Sequence, residues 1–299
     1  MSDGNIGDGG GREFERVAGA LRARMANGDY PLNSFLPAQR DLAKMFHVSR
    51  DTVQRVLKEL QSEGWIDTRQ GSGSRVIRVQ RIHSPTSSSQ PDRMVTLGPL
   101  VQRAFQEREV TLDVFTLTSE SLDAHIRLQV ERMIRGEQAP PQRIAIRMLL
   151  PLETLEIPYW RTDDGVHDEL LKERYLAITR QHTASLRSML SDLKVRKLVP
   201  SVHFDIRRVR LVPPFKVYLV NQAEALHGLY EVFKRGIVLE DDREIEAIDV
   251  VGLGARLTHH VKDADPYSQG TVFVETMQAW FDSAWEFLTE NPRPKPAGS

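Results

Sequence analysis

The chain has 299 residues, 40% of them apolar, and a formal net charge of -1 at pH 7. That is enough apolar sequence for two ordinary domain cores, and it excludes a fibrous or wholly disordered protein. The absence of cysteine excludes disulfides, thiolate metal sites and a cysteine nucleophile. No apolar run is long enough to span a bilayer, and the N-terminal residues lack the pattern of a signal peptide, so we expect a cytoplasmic protein.

Charge is unevenly distributed along the chain. Residues 12–82 carry 13 basic and 8 acidic side chains, a net +5. Residues 83–299 carry 27 basic and 31 acidic side chains, a net -4. A basic segment ahead of an acidic one favours nucleic acid as a partner of the first segment only.

Composition divides the chain into domains, a linker and two tails. The Gly- and Asp-rich N-terminus predicts disorder, and the stretch HSPTSSSQPDR predicts a flexible linker because Ser, Thr and Pro replace periodic apolar residues there. The predicted segments are a disordered tail at 1–11, a first domain at 12–82, a linker at 83–94, a larger domain at 95–292 and a disordered tail at 293–299.

Three helices and a hairpin are predicted in the first domain. Apolar residues at helical spacing from Phe14 to Met25 predict the first helix, which Gly28 ends. PAQRDLAKMF and VSRDTVQRVLKEL predict two more helices, the last with Ser49 as its N-cap. WIDTRQGSGSRVIRV then predicts two strands with a Gly-rich turn. The set is typical of a winged helix-turn-helix.

The polar front of the last helix is the predicted DNA-binding surface. The second helix of a helix-turn-helix enters the major groove by its N-terminal end, where side chains meet base edges and phosphates. Arg50 suits a bidentate contact to guanine, the hydroxyls of Ser49 and Thr52 suit phosphate, and Asp51 suits capping or base selection. Backbone or minor-groove contacts are expected from Arg40, Arg69, Gln70 and Gly71.

Residues 14–76 resemble the winged-helix domain of GntR-type bacterial transcription regulators. The matching residues are Gly28-Asp29-Tyr30, Leu36-Pro37, Arg40-Asp41-Leu42-Ala43, Val48-Ser49-Arg50, Thr52-Val53, Leu57, Leu60, Glu63-Gly64-Trp65-Ile66 and Gly71-Ser72-Gly73. The resemblance implies DNA contacts by Arg40, Ser49, Arg50, Thr52 and Gly71. Phe35 and Trp65 are expected in the core.

Three positions depart from the pattern of that family. Gln54 stands where a second arginine is common, and Gln70 where some members have histidine. Since glutamine can read adenine bidentately, the base preference is expected to shift while DNA binding persists. Asn33 stands where glycine is usual, which leaves one turn in question.

The larger domain is predicted to be α/β. Strands are expected at 110–117, 143–150, 202–212, 215–221 and 231–241, and helices at 121–135, 168–193 and 271–288. The segments VPPFKVYLVNQAEALHGLYEV and QAWFDSAWEFL resemble the phospholipase D-like sensor module of some regulators. The catalytic signature of that module, H-x-K-x-x-x-x-D, reads Pro214, Lys216 and Asn221 here. Proline cannot accept a phosphoryl group, so no phosphodiesterase activity is expected, and Lys216 and Asn221 are candidates for ligand binding.

Other candidate sites are weaker. His259 and His260 precede Asp263 and Asp265, but adjacent histidines on a strand point to opposite faces, so no metal site is expected. His182 and His227, the latter placed after a predicted helix, are interpreted as satisfied structural groups. No cofactor is expected, because the stretch GLGARL lacks a dinucleotide-binding pattern.

These patterns predict a nucleoid-associated bacterial transcription regulator, more specifically a repressor, rather than an enzyme. We expect a homodimer on a near-palindromic double-stranded DNA operator, with an effector-binding and dimerisation domain that takes a small molecule. Two alternatives stay open: a DNA-targeted phosphodiesterase-like enzyme, and a nonspecific structural DNA binder in plasmid maintenance.

Overall fold

The computed structural model describes residues 8–69, 73–77, 81–83, 97–238, 243–250, 252 and 255–289. The predicted linker therefore lies largely outside the described residues, and so does the tail at 293–299. Helix α1 begins at Asp8, within the stretch whose composition predicts disorder. No helix among the described residues is long and apolar enough to cross a membrane.

The N-terminal domain has the predicted three helices and hairpin. Its elements are α1 Asp8–Asn27, α2 Gln39–Phe46, α3 Arg50–Ser62, β1 Ile66–Arg69 and β2 Gly73–Val76. One core cluster joins Val17 and Leu21 of α1 to Leu42 of α2 and Leu57 of α3, because each helix presents an apolar stripe at helical spacing. Trp65 is buried in this core as predicted.

Two local predictions in this domain have different outcomes. The expectation that Phe35 is a core residue is wrong, since Phe35 is 57% exposed. It sits beside the hairpin and bridges to Arg75 of β2, so its ring stays at the surface. Asn33 forms the turn in question with φ 69°, a left-handed conformation that asparagine tolerates better than most residues.

The C-terminal domain is α/β, as predicted, and contains elements that the sequence reading missed. Its strands are β3 Arg81–His83, β4 Glu109–Phe115, β5 Arg143–Pro151, β6 Ser201–Val209, β7 Phe215–Val220, β8 Glu224–Leu229, β9 Val232–Val238, β10 Glu244–Val250 and β11 Arg256–Val261. Its helices are α4 Leu97–Ala104, α5 Glu120–Ile134, α6 Asp168–Val195 and α7 Gln269–Phe287. The prediction that His227 follows a helix is wrong, because His227 lies within β8.

Seven strands form one mixed sheet in the order β3-β11-β8-β7-β4-β5-β6. Strands β4, β5 and β6 are parallel, whereas β7 runs antiparallel to β4. Apolar residues of α4, α5 and α6 pack on one face and those of α7 on the other, giving three layers. Strands β9 and β10 form a separate hairpin.

Strand β3 corrects the predicted domain boundary. It pairs in parallel with β11, at the edge of the C-terminal sheet. The boundary predicted after residue 82 therefore falls inside a strand of the larger domain. A three-residue segment gains its backbone partners only from the sheet that it joins, so its own sequence does not reveal the pairing.

The two domains are in direct contact through α1 and α5. Gly19 of α1 faces Arg127 of α5 so closely that a Cβ atom at this position would overlap the arginine side chain. The guanidinium of Arg127 donates to Ser185 Oγ of α6 at 2.5 Å. The absence of a side chain at Gly19 therefore allows the first helix of the N-terminal domain to lie against the larger domain.

Candidate nucleic-acid interface

The turn between α2 and α3 sets the position of the second helix. His47 ends α2 in the left-handed conformation with φ 54°, and its N–H donates to the carbonyl of Lys44 at 3.3 Å. The N–H of Val48 donates to the carbonyl of Ala43 at 3.1 Å. These bonds satisfy the end of α2 and reverse the chain within three residues, as a helix-turn-helix requires.

Ser49 caps α3. Its Oγ accepts a hydrogen bond from the Thr52 N–H at 3.0 Å and shares a second bond with Thr52 Oγ1 at 2.9 Å. Thr52 is only 8% exposed. The hydroxyl of Thr52 is thus part of the cap, and the free amides of the first turn remain directed outward from the helix end.

The exposed face of α3 is polar at its N-terminal end. Arg50, Asp51 and Gln54 are exposed, whereas Val53 and Val56 are fully buried. Arg40 on α2 is also exposed, with its Nε 3.5 Å from Asp41 Oδ1. Burial of the apolar stripe thereby fixes which side chains a duplex would meet.

Arg55 differs from Arg50 in its surroundings. Its guanidinium carbon lies 5.3 Å from the centre of the Phe14 ring, in a cation–π contact with α1. Both arginines are exposed, but Arg55 contacts an aromatic ring of its own domain, whereas Arg50 lies at the helix end.

The hairpin corresponds to the predicted wing. Its antiparallel strands pair Arg69 with Gly73, and Gly73 has φ 82°. Gln70 and Gly71 lie outside the described residues, as does the side chain of Arg69. The exposed ring of Phe35 lies next to Gly73, which adds an aromatic side chain near the turn end of the wing.

The structure does not bring Lys216 and Asn221 together. Lys216 is the second residue of β7, and Asn221 follows the other end of the same strand. Asn221 has φ 51° in the turn before β8, and its Oδ1 accepts from the Thr111 N–H at 2.8 Å. Its side chain therefore supports the sheet, away from Lys216.

Lys216 is buried rather than extended toward solvent. It is 3% exposed, its Nζ donates to the carbonyl of Gly252, and Nζ lies 5.5 Å from the centre of the Tyr230 ring. Burial lowers the pKa of Lys216 to about 8, against the attraction of Glu120. Gly252 and Tyr230 both line a cavity at the end of β4, so the ammonium group lies at the edge of that cavity.

The histidine pair forms no metal cluster with its neighbours among the described residues. His259 Nε2 lies 2.6 Å from Glu224 Oε2, within hydrogen-bond distance across the neighbouring strands β11 and β8. His260 instead stacks on Phe273 of α7 at 3.7 Å. The two rings therefore serve separate structural contacts.

A buried charged network at the domain junction was missed by the sequence reading. Arg22 donates to both carboxylate oxygens of Glu63, from Nε at 2.8 Å and from Nη2 at 2.6 Å. Glu63 Oε1 lies 3.4 Å from His182 Nε2, and His182 Nδ1 lies 2.8 Å from Asp123 Oδ2. These four side chains, 0–2% exposed, link α1 and the end of α3 to α6 and α5.

Electrostatics within this network favour the charged forms of Glu63 and His182. Burial alone would raise the pKa of Glu63, but Arg22 and the hydrogen bond to His182 lower it to about 2. Burial alone would lower the pKa of His182, but its hydrogen bonds to Asp123 and Glu63 raise it to about 9. His182 is thus a satisfied buried group, as predicted. It contacts Asp123 of the larger domain and Glu63 of the N-terminal domain, and so links the two. A sequence signal existed only at Arg22, a charge one turn after Ala18 on the apolar side of α1.

Comparison with known proteins agrees with this geometry. Residues 14–76 match the family model described as "Bacterial regulatory proteins, gntR family". The resemblance to a GntR-type helix-turn-helix domain is thereby confirmed for this segment. The match covers the helices and the wing, and leaves the C-terminal domain unassigned.

Two curated relatives are transcription regulators by name. The uncharacterized HTH-type transcriptional regulator YdfD of Bacillus subtilis is 31% identical over 38% of this chain and 25% of its own length. The Exu regulon transcriptional regulator of Escherichia coli is 29% identical over 42% of this chain and 50% of its own length. The chain thus spans a quarter to a half of the length of these relatives.

One solved structure adds a match to part of the chain. A GntR family transcriptional regulator from Listeria monocytogenes has 22% sequence identity and a TM-score of 0.22. The match covers 26% of this chain and 62% of that one.

Proposed function

We propose that this protein is a sequence-specific DNA-binding transcription regulator that acts as a ligand-responsive repressor. In this proposal two copies form a homodimer and read a near-palindromic operator through their winged helices. The homodimer is proposed to act at the nucleoid, in the cytoplasm. Support comes from the GntR-type domain at residues 14–76 and from relatives named as transcription regulators.

The observation that carries the proposal is the N-terminal end of α3. Ser49 caps the helix, which leaves Arg50, Asp51 and Gln54 exposed around free backbone amides. In a major groove, Arg50 would donate to guanine and Gln54 would both donate to and accept from adenine. The amides and the positive end of the helix dipole would hold a phosphate. Arg40 and the wing residues Arg69, Gln70 and Gly71 would contact the backbone on either side.

The C-terminal domain is proposed as a dimerisation and sensing domain rather than an enzyme. Its likeness to a phospholipase D-like module remains part of this proposal. At the signature positions, Pro214 offers no nucleophile, and the Lys216 ammonium donates to a backbone carbonyl. A phosphodiesterase would need a histidine nucleophile that this site does not offer.

The experiment selects bound sequences from a pool of random duplex DNA at near-physiological salt. The full chain, its Arg50→Ala variant and an Arg135→Ala control are compared; Arg135 is an exposed arginine at the end of α5. Enrichment of a two-fold symmetric site by the wild type and the control, with a relaxed site for Arg50→Ala, is the expected result. Uniform retention of all sequences would replace the proposal with a nonspecific structural DNA binder.

A further inference from the structure

Strand β6 is an open edge of the seven-stranded sheet. It is nine residues long, and its neighbour in the sheet is β5. On its outer side, the described residues supply one backbone bridge, from Thr289 to Val209 at the end of the strand. The stretch 201–207 therefore has no strand partner on that side among the residues that the structure describes. An edge of this length is a ready template for another strand.

The pairing with β5 shows which backbone groups point outward. The Ser201 N–H donates to the carbonyl of Gln142, and the Val209 carbonyl accepts from the Leu152 N–H. The N–H and C=O of one strand residue point to the same side, and that side alternates along the strand. The odd-numbered residues of β6 therefore face β5. The outward-facing backbone groups between the two ends are those of Val202, Phe204, Ile206 and Arg208.

The side chains of β6 divide between the two faces of the sheet. Val202, Phe204 and Ile206 are half-buried and pack against the core beneath the helices. His203 and Asp205 are exposed and belong to the opposite face. Edge strands of monomers are commonly protected by proline, lysine or a bulge, and β6 has none of the three.

The sequence of β6 is self-complementary when two copies are aligned antiparallel. With a two-fold axis through Phe204, Val202 lies opposite Ile206 of the partner subunit, and the two Phe204 side chains are adjacent. On the other face His203 lies opposite the partner's Asp205, and symmetry repeats this pair. Apolar side chains therefore meet apolar ones, and an imidazole meets a carboxylate twice.

The neighbouring symmetric registers are less favourable. An axis through Asp205 places two carboxylates directly opposite each other, which is destabilising. An axis through Ile206 extends the pairing into Val209, whose outer side already bridges to Thr289. The register centred on Phe204 leaves that bridge intact and uses only the open stretch 201–207.

We infer that two copies of this chain associate through β6, in an antiparallel strand pair centred on Phe204 that joins their sheets into one. The backbone groups of Val202, Phe204 and Ile206 then form about six hydrogen bonds between the subunits. The same surface serves both copies, so the assembly closes as a dimer. This inference deepens the proposed function, because it names the interface of the proposed homodimer and rests on that proposal.

This dimer places both N-terminal domains on the same side. The two-fold axis of an antiparallel strand pair is perpendicular to the sheet, so both subunits present the same sheet face in the same direction. Helices α4, α5 and α6 cover one face, and α1 lies against α5 where Gly19 meets Arg127. Two winged helices on one side of the joined sheet match the requirement for binding a single duplex at two half-sites.

Cross-linking tests the register, and the absence of cysteine from the chain makes it unambiguous. Full-length His203→Cys and Asp205→Cys are oxidised separately and as an equimolar mixture, and linked dimers are measured on non-reducing gels. Opposite Cα atoms of a non-hydrogen-bonded pair are about 4.5 Å apart, which a disulfide can span. The mixture is therefore expected to cross-link severalfold faster than either variant alone. A mixture of Asp205→Cys with Glu246→Cys, at an exposed position of β10, is the control.

Sedimentation velocity over a concentration series tests the charge pairs. Asp205→Lys is expected to raise the dissociation constant of the dimer about tenfold, because two attractive pairs per dimer are replaced by unfavourable ones. The double variant His203→Asp, Asp205→Lys exchanges the two charges and should restore the association. Glu246→Lys makes the same charge change on β10 and should leave the dissociation constant unchanged. Circular dichroism verifies that each variant folds.

Three results would each overturn the inference. They are a wild type that stays monomeric at every concentration, a dissociation constant that Asp205→Lys does not change, and cross-linking of the mixture no faster than that of the single variants. DNA selection by the wild type tests the proposed function separately. Enrichment of a two-fold symmetric site alongside any of these results would retain the regulator and place its dimer interface elsewhere.

Discussion

Gln54 is an exposed polar side chain at the front of α3, and it occupies a position where an arginine is common in GntR-type domains. Because its amide can both donate and accept, it is suited to adenine. We expect Gln54→Ala to cost about 1 to 3 kcal/mol at one A·T position and to leave the other positions unchanged. Competition binding with single-base operator variants measures this.

The neighbouring arginine provides the matched control. Arg55→Ala removes a side chain that lies over the Phe14 ring, so a modest loss of domain stability is expected without a change in base preference. If Arg55→Ala relaxed one base position and Gln54→Ala did not, the reading face of α3 would have to be rotated from the one proposed.

Substitution of Ser49 tests how far the N-cap stabilises α3, the helix proposed to contact DNA. Ser49→Ala removes an acceptor of the Thr52 N–H, and a lost N-cap typically costs about 1 kcal/mol. The urea concentration at the midpoint of unfolding is expected to fall, while the dependence of the unfolding free energy on urea concentration stays unchanged. Ser49→Asp is the control, since aspartate caps equally well and should retain the stability while weakening phosphate contact. Equal stability of Ser49→Ala and wild type would show that the cap contributes little.

At the level of secondary-structure elements, the contact between α1 and α5 depends on Gly19. Alanine is a better helix former than glycine by about 1 kcal/mol, so Gly19→Ala would stabilise an isolated α1. In the folded protein the new Cβ meets the Arg127 side chain, which is anchored on Ser185. We therefore expect Gly19→Ala to destabilise the contact, by roughly 1 to 3 kcal/mol if overpacking dominates. Thermal unfolding of the full chain shows whether Gly19→Ala stabilises or destabilises the protein.

A double variant separates the clash from other effects. Arg127→Ala removes the side chain that the new Cβ would meet, so the cost of Gly19→Ala should largely disappear in that background. An equal cost in both backgrounds would place the effect of Gly19 elsewhere than in the contact between α1 and α5.

At the scale of the whole molecule, the buried network predicts how stability depends on pH. The pKa of His182 is raised from 6.5 to about 9, so its contribution is fully present below about pH 6.5 and is lost as pH rises through 9. The pKa of Glu63 is lowered from 4.5 to about 2, so its contribution is present above 4.5 and is lost as pH falls through 2. Stability from this network is therefore expected to be greatest between about pH 4.5 and 6.5.

Urea unfolding at pH 6, 8 and 10 measures the alkaline limb of this profile. The midpoint is expected to decrease with pH in the wild type and to decrease less in His182→Gln, which cannot carry the charge next to Asp123 and Glu63. His47→Asn at the exposed turn after α2 is the control, and its profile should follow the wild type. A wild-type profile that is flat from pH 6 to 10 would contradict the protonated state of His182.

The long helices and the capped, polar front of α3 were predictable from sequence. The apolar spacing along α1 and α3 and the cap at Ser49 depend on residues within a few positions of one another. The α/β class and the strands from β4 to β7 followed from alternating apolar runs in the same way. Phe35 was misplaced because the depth of a side chain is decided by what packs over it, and nothing local to residue 35 shows that the wing leaves it open.

The missed strands have a different cause. Strand β3 is three residues long and pairs with β11, far along the chain, and β8 and β10 are short segments with polar and charged residues. Their backbone groups are satisfied only by partners that the fold supplies, so their own sequence carries a weak signal.

By itself, the sequence determined a GntR-type helix-turn-helix domain with a polar, capped helix front, and an α/β domain behind it. Only the tertiary structure decided that the domains are in contact and that a charged network joins them. Arg22 and Glu63 are 41 positions apart, and Glu63 and His182 are 119 apart. Helix spacing and caps act within one or two turns, whereas the pairing of buried charges depends on which surfaces the folded chain brings together.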